Sequence, residues 1–397
     1  MISWPSTHYT SQERFELERE RIFEQSWICV GRSSAVSEAG SFLRAEVGRE
    51  SVLVVRNRDG QLRGLVNLCR HRGVQLCMEE SGNFGKSIRC PYHGWTFGLD
   101  GRLVAAPYIN DLPPETRERH LYTAAVTEWL GYVWVNLNTE APPLSEQVAP
   151  MLRHRFGEID VPSHYGMEDL TVAKTISYDV RANWKILFEN FCECYHCPTM
   201  HPEICDALPE WRSGYGTVAG PEGPKREGSK LADGATGFSL SGRAAAPTLP
   251  GVPREDERTF HGILLWPNVH LIFVPDHVMC MRFEPQGPDR TRVISDWLFH
   301  PEAIADPDFN PNDAVGLIDV TARQDFEACE RVQLGTSSAY FEELHTPHES
   351  LILDFRSWIH QAIAERPVPR LTIGQSVNGD SNATTLTSTG TSSEVGV

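Results

Sequence analysis

Two short stretches of this chain carry side chains whose types and spacing suit metal chemistry. The first is Cys69-Arg70-His71 followed, after 18 intervening residues, by Cys90-Pro91-Tyr92-His93. Each half offers one thiolate and one imidazole. Two hairpin-like loops facing each other would gather four ligands. Such a set suits a [2Fe-2S] cluster in which two His replace two Cys on one iron, or a Cys2His2 zinc. The order favours the cluster, because zinc fingers usually group both cysteines in one half and both histidines in the other. The second stretch is ENFCECYHCPTMHPE, Glu189–Glu203. Three readings compete for it: a zinc site, a redox thiol pair, or an iron site that leaves the cysteines unused. His196 and His201 are five residues apart, so a continuous helix would point them about 140° apart. A helix that breaks at Pro198 can turn both imidazoles onto one ion. Two imidazoles and a carboxylate on one face of Fe(II) leave positions open for O2 and substrate.

The surrounding elements have to present these residues. Ser11–Trp27 reads as an amphipathic helix capped by Ser11, with Phe15, Ile22, Phe23 and Trp27 at helical spacing. From Ser41 to about Asn138 the period changes to two. Hairpin signals at Asp59-Gly60, Gly82-Asn83 and Asp100-Gly101 punctuate the short β-rich runs. TVAKTISYDV is a predicted strand, and NWKILFENFCECYH a predicted helix. Residues 213–255 are rich in Gly, Ala and Pro and read as a long mobile loop. ILLWPNVHLIFVPDHVMCMRFEP and TRVISDWLFH give more strands. NDAVGLIDVTARQDFEACERVQLG reads as a long helix closed by Gly335, and SLILDFRSWIHQAIAER as a last amphipathic helix.

The 397 residues allow two domains, and an apolar content of 40% with 10 Trp and 17 Phe provides for a sizeable core. A net charge of −17 argues against a nucleic-acid partner. The N-terminus MISWPSTHYT lacks the basic and apolar regions of a signal peptide, and no apolar run reaches membrane-spanning length. A cytoplasmic enzyme is the expectation, with its ten cysteines reduced or metal-bound rather than paired in a disulfide framework.

The order C-x-H…C-x-x-H, followed by Arg72-Gly73 and by Gly94-Trp95-x-Phe97, resembles the Rieske domain. Together with NWKILFENFCECYHCPTMHP it resembles the Rieske non-haem iron oxygenase α subunits, over nearly the whole chain to Arg366. The resemblance implies an α+β fold: a small all-β Rieske domain inserted near the N-terminus of a larger catalytic domain with an antiparallel sheet flanked by helices. The expected boundaries are 1–40 for an N-terminal helix packing with the catalytic domain, 41–140 for the Rieske domain, 141–372 for the catalytic domain and 373–397 for a disordered tail. It implies Cys69, His71, Cys90 and His93 as [2Fe-2S] ligands, and His196, His201 and Asp325 as ligands of a mononuclear Fe(II). Glu327 and Glu330 on the same late helix are the alternatives to Asp325. Cys77, Cys192, Cys194 and Cys197 then read as buried packing residues. Cys194-x-x-Cys197 lacks the βαβ context of a thioredoxin-like pair, and a thiolate ligand would fill a position that oxygen chemistry needs open.

The resemblance also implies that Glu193 bridges subunits, bonding His196 and a cluster histidine of a neighbour, with His93 favoured over His71. That requires a head-to-tail homotrimer or a trimer of trimers. Ring-dihydroxylating members have Asp at this position. Glu193 resembles the branch acting on quaternary ammonium compounds, such as betaine demethylases and the choline and carnitine oxygenases. The implied function is the terminal oxygenase of a multicomponent monooxygenase that demethylates a betaine with release of formaldehyde. Hydroxylation of an aromatic ring or carboxylate is the alternative, and a non-catalytic electron carrier the remote one. No G-x-G-x-x-G follows a strand, so NAD(P)H is used only indirectly, through a separate ferredoxin or flavin reductase chain. A quaternary ammonium needs aromatic faces, for which Trp211, Tyr215, Phe260, Trp266 and Phe273 are candidates.

Overall fold

The computed structural model describes residues 4–109, 113–218, 220 and 222–365. The tail 373–397 lies outside the described residues.

Alternating apolar residues in the first third build two sheets. Ten strands contribute: β1 Ile28–Arg32, β2 Ser41–Val47, β3 Glu50–Arg56, β4 Leu62–Val66, β5 Ser81–Asn83, β6 Ser87–Arg89, β7 Thr96–Gly98, β8 Leu103–Ala105, β9 Thr123–Trp129 and β10 Tyr132–Asn136. The larger sheet has the order β1-β10-β9-β4-β3-β2-β5, and β6-β7-β8 form a second one. Asp59-Gly60 and Asp100-Gly101 are turns with left-handed glycines. Gly82-Asn83, expected as a turn, lies instead inside β5 and pairs with Phe42 and Ser41 of β2. The Phe42 ring covers Gly82 so closely that a Cβ there would lie 3.0 Å from it. Pairing of β1 with β10 draws residues 28–32 into the all-β unit.

The second unit is one antiparallel sheet: β11 Thr171–Val180, β12 Ser229–Lys230, β13 Thr259–Leu265, β14 Val269–Val274, β15 His277–Gly287 and β16 Arg290–Phe299, ordered β11-β16-β15-β14-β13-β12. Strands β13 and β14 are buried throughout. Helices cover both of their faces, so they read as unbroken apolar runs. One face packs Leu264, Ile272, Met279 and Met281 against the helices Trp184–Phe191, Asn312–Thr336 and Ser350–Glu365. The other packs Ile263, Leu271 and Phe273 against the helix Leu144–Phe156 and against Trp134 of β10. The sheet thus separates the helical metal-binding side from the β unit's edge.

Three expectations need correction. Among the described residues of 213–255, expected as one long mobile loop, Ser229–Lys230 form β12, and Leu231, Phe238 and Leu249 are buried in the two cores. Gly335 sits inside the helix Asn312–Thr336 rather than closing it. The Ser11 hydroxyl caps the N-terminal helix by accepting from the Arg14 amide at 3.2 Å, but the α-helix ends at Glu18 and continues as a π turn, Arg19–Phe23.

That turn is held by a buried ion pair. Lys185 Nζ lies 2.7 Å from Glu18 Oε2, and both side chains are fully buried. Trp184 Nε1 donates to the same carboxylate at 2.9 Å, and Arg14 Nε pairs with its other oxygen at 3.0 Å. Further along, the Arg356 guanidinium pairs with Glu189 and Glu343, each at 2.8 Å, and donates to the Tyr9 hydroxyl. Both ends of the described chain are therefore fastened to the helix Trp184–Phe191, one turn ahead of the histidine-rich stretch. A buried charge that loses its partner costs about 3–5 kcal/mol. Glu18→Ala is expected to lower the stability of the catalytic domain by that amount. Urea unfolding monitored by fluorescence checks it, and an unchanged midpoint would show that the pair anchors nothing.

Candidate metal centres

The two Cys/His loops share one backbone design. The Cys69 amide bonds to Val74 O at 2.8 Å and Cys69 O accepts from the Gly73 amide at 3.0 Å. Likewise the Cys90 amide bonds to Trp95 O at 2.7 Å and Cys90 O accepts from the Gly94 amide at 3.1 Å. Gly73 and Gly94 both take left-handed φ angles, 74° and 71°, which a side chain would strain. Each loop buries its cysteine and exposes its histidine. The imidazoles of His71 and His93 lie 4.6 Å apart between ring centroids, and His71 stacks on the buried Trp95. Two thiolates facing inward and two imidazoles facing outward match a mixed-ligand [2Fe-2S] cluster with its histidine-bound iron toward the surface. Cys77, buried, points at Glu79 Oε2, 3.0 Å away, and adds no fifth ligand.

The second site begins where the helix Trp184–Phe191 stops. Asn183 Oδ1 accepts from the Lys185 amide at its start. The break falls at residues 192–196, ahead of the proline rather than at it. Pro198 occupies the first turn of the next short helix, Cys197–Met200, where its missing N–H costs nothing. His201 begins another helix, Pro202–Ala207. Both imidazoles therefore sit at helix boundaries, 5.0 Å apart and nearly perpendicular.

Asp325 reaches them from the helix Asn312–Thr336. Its Oδ1 lies 2.9 Å from His201 Nε2 and 3.1 Å from His196 Nε2. The ligand atoms of the three residues all fall within 4.8 Å of one another. The remaining ring nitrogens are held from behind: Glu193 Oε1 lies 2.5 Å from His196 Nδ1, and Gln324 Oε1 lies 2.7 Å from His201 Nδ1. This leaves both Nε2 atoms aimed at the Asp325 oxygen, which fits a two-histidine, one-carboxylate centre. Asn190 Nδ2 donates to Asp325 Oδ1 at 2.8 Å. Gln324 and Asn190 went unremarked in the sequence. Their only signal there is a polar residue on the buried side of an apolar helix. Glu327 and Glu330 do not take part, for they pair with Arg331 and Arg181 at the surface.

Charge explains the convergence. Burial raises the Asp325 pKa, but the two imidazoles outweigh it and hold the carboxylate well below the usual range. Burial opposes protonation of His196, yet Asp325 and Glu193 lift its pKa to about 10. The pocket is arranged for a positive charge between these groups, and a bound cation displaces the proton.

Cys194 and Cys197 require a correction. The sequence makes them buried packing thiols, whereas the structure joins them in a disulfide. The turn after Phe191 brings their Cα atoms to 5.1 Å, inside the range a disulfide spans. The other eight cysteines are free and buried, Cys192 among them.

Beside the triad lies a chamber of about 70 Å³. Its sheet side follows from strand register: Gly262 pairs with Ile272, Ile272 with Met279 and His270 with Met281. Trp211 and Phe260 meet edge to face on another wall. Among the described lining residues none is Lys or Arg, and the carboxylates are Glu193 and Asp325. The other aromatic candidates lie elsewhere. Tyr215 stacks on His348 at 4.0 Å, Phe273 packs against Tyr165 on the far face of the sheet, and Trp266 lines a separate cavity of about 780 Å³ that shares Val218 with the chamber.

Comparison with known proteins agrees with this arrangement. Residues 26–116 match the Rieske [2Fe-2S] domain, and residues 167–365 match the ring hydroxylating alpha subunit (catalytic domain). The glycine betaine monooxygenase oxygenase subunit of Chromohalobacter salexigens is 29% identical over 393 residues, covering 92% of this chain and 86% of that one. The carnitine monooxygenase oxygenase subunit of Escherichia coli is 30% identical over 347 residues, 84% of each chain. The quaternary ammonium Rieske monooxygenase CntA, solved with gamma-butyrobetaine, superposes with a TM-score of 0.66 at 25% identity, over 91% of this chain and 95% of that one. Naphthalene 1,2-dioxygenase from a Rhodococcus species, at 19% identity and a TM-score of 0.66 over 92% of this chain and 95% of that one, shares the fold. The chain belongs to the ring hydroxylating alpha subunit family, with a Rieske [2Fe-2S] domain ahead of a mononuclear-iron catalytic domain.

Proposed function

We propose that the protein is the terminal oxygenase of a Rieske monooxygenase that removes an N-methyl group from a betaine or related quaternary ammonium compound. The observation that carries the substrate class is the chamber lining: the aromatic side chains Phe191, Trp211 and Phe260, with no Lys or Arg among the described residues. A quaternary ammonium has no N–H to donate and is held by aromatic faces and negative charge. The names of the glycine betaine and carnitine relatives point the same way.

In this reading Cys69, His71, Cys90 and His93 hold the cluster, which supplies single electrons, and His196, His201 and Asp325 hold the iron, which activates O2. The chain's own residues do the rest. Glu193 and Gln324 fix the imidazoles through their Nδ1 atoms, so that both Nε2 atoms face the ion. Glu193 is half-buried beside the exposed Tyr195. In this reading the carboxylate, whose Oε2 accepts from the Tyr195 amide, would also meet His93 of a neighbouring copy, the contact a head-to-tail trimer would make. A separate reductase, in the cytoplasm with this chain, feeds the cluster from NAD(P)H. In overall balance one O2, two electrons and two protons convert one N-methyl group to N–CH2OH and give one water. The N–CH2OH group then breaks its C–N bond, giving formaldehyde, a proton and the tertiary amine.

Three outcomes are expected. With a surrogate reductase, trimethylammonium compounds should yield formaldehyde and aromatic acids should not, and the reverse would sink the substrate class. His201→Ala should reduce the iron content from about three to about two per chain while leaving the reduced cluster's spin signature intact. Loss of both signals would show that the sites are not separate. Glu193→Gln should keep both metals yet slow product formation about 10–100-fold, as changes behind a metal ligand do. Iron loss would instead make Glu193 a ligand, and normal turnover would remove the bridge.

A further inference from the structure

One group in the chamber has no part in holding metal. His270 lies on β14, eight per cent exposed, and its Nδ1 has no hydrogen-bond partner among the described residues. Its ring packs beside Phe191, at 5.1 Å between centroids. Burial pushes its pKa down to about 4, so at neutral pH the ring is an uncharged imidazole with one donor and one acceptor. The nitrogen that borders the Gly262 side of the chamber is the other one, Nε2.

A second polar atom faces the same space. A Cβ placed on Gly262 would lie 3.5 Å from His270 Nε2, 3.4 Å from Thr217 Oγ1 and 3.4 Å from the Phe260 ring. Thr217 is two per cent exposed. The absent side chain of Gly262 thus opens a gap that an imidazole, a hydroxyl and an aromatic edge all border. The rest of the sheet wall is apolar there, formed by Ile272, Met279 and Met281.

We propose that His270 and Thr217 form the polar end of the substrate site. They receive an oxygen of the substrate in the gap above Gly262 and so turn its N-methyl end toward the iron ligands. This deepens the N-demethylation reading and rests on it for the identity of the other end. It makes the substrate a compact trimethylammonium compound with one oxygen function a short chain away. That oxygen is received by hydrogen bonds, because His270 is neutral and the described lining offers no Lys or Arg. A hydroxyl and a carboxylate share this chemistry.

The test is calorimetric binding to the metal-loaded oxygenase of choline, glycine betaine and propyltrimethylammonium, the last lacking oxygen. His270→Phe should change the affinity for an oxygen-bearing compound relative to propyltrimethylammonium by about tenfold, the loss of one buried hydrogen bond. His270→Gln, which keeps a donor and an acceptor, should restore part of the ratio. Thr217→Val should move the ratio in the same direction, and it decides the matter if His270→Phe does not fold. The arm that responds tells hydroxyl from carboxylate. An unchanged ratio, or equal weakening of all three compounds, would overturn the subsite. Normal formaldehyde release with unchanged ratios would overturn the subsite and keep the reaction. The expected ratios without formaldehyde would keep the subsite and overturn the reaction.

Discussion

A carboxylate buried beside two imidazoles has to be matched by positive charge, and the catalytic half of this protein is organised around that requirement at Asp325. The acid is fully enclosed, and its oxygen is shared by His196, His201 and Asn190. Such a group is tolerable only while its partners stay in place. That is why the histidine stretch cannot be one continuous helix. The chain breaks after Phe191 and restarts twice, so that residues five apart present the same ring nitrogen to one point. It is also why Glu193 and Gln324 matter. By occupying the opposite nitrogens they decide which face of each ring looks inward.

Geometry this exacting needs a stiff support. The helix preceding the break supplies it, because that helix carries Lys185 and Glu189, each bound into a buried network with distant parts of the chain. Glu18 comes from the N-terminal turn and Arg356 from the last helix. The Rieske unit is built on a different plan. Its two Cys/His pairs sit on short glycine-closed loops, with the cysteines inside and the histidines at the tip. One unit offers its redox group outward and the other encloses its own.

How much could be read in advance follows from how local each signal is. The Cys/His loops were legible because both ligands of each half lie within four residues, closed by a glycine. Strand β11 matched the sequence pattern residue for residue. Asp325 was harder, since Glu327 and Glu330 share its helix, and only burial separates an acid facing the triad from acids paired with surface arginines. Gln324, Asn190 and His270 were not singled out, for each is one polar residue in an apolar element and its partner lies far along the chain. Pro198 was read as the point of breakage. It instead starts the next helix, where proline is at home. The Cys194–Cys197 bond depended on the path of the turn, which spacing alone does not fix.

The bare backbone at Gly262 has a consequence for how such proteins diversify. The residues of the triad come from helix ends and from the helix Asn312–Thr336, whereas Phe260, Gly262, His270, Ile272, Met279 and Met281 of the chamber wall come from strands. A single methyl group at Gly262 would occupy the gap between Thr217 and His270 without touching any ligand. Selection can therefore resize the substrate's berth in small steps while leaving oxygen chemistry intact. A lineage built this way can acquire new diets by editing one strand, its catalytic engine inherited unchanged.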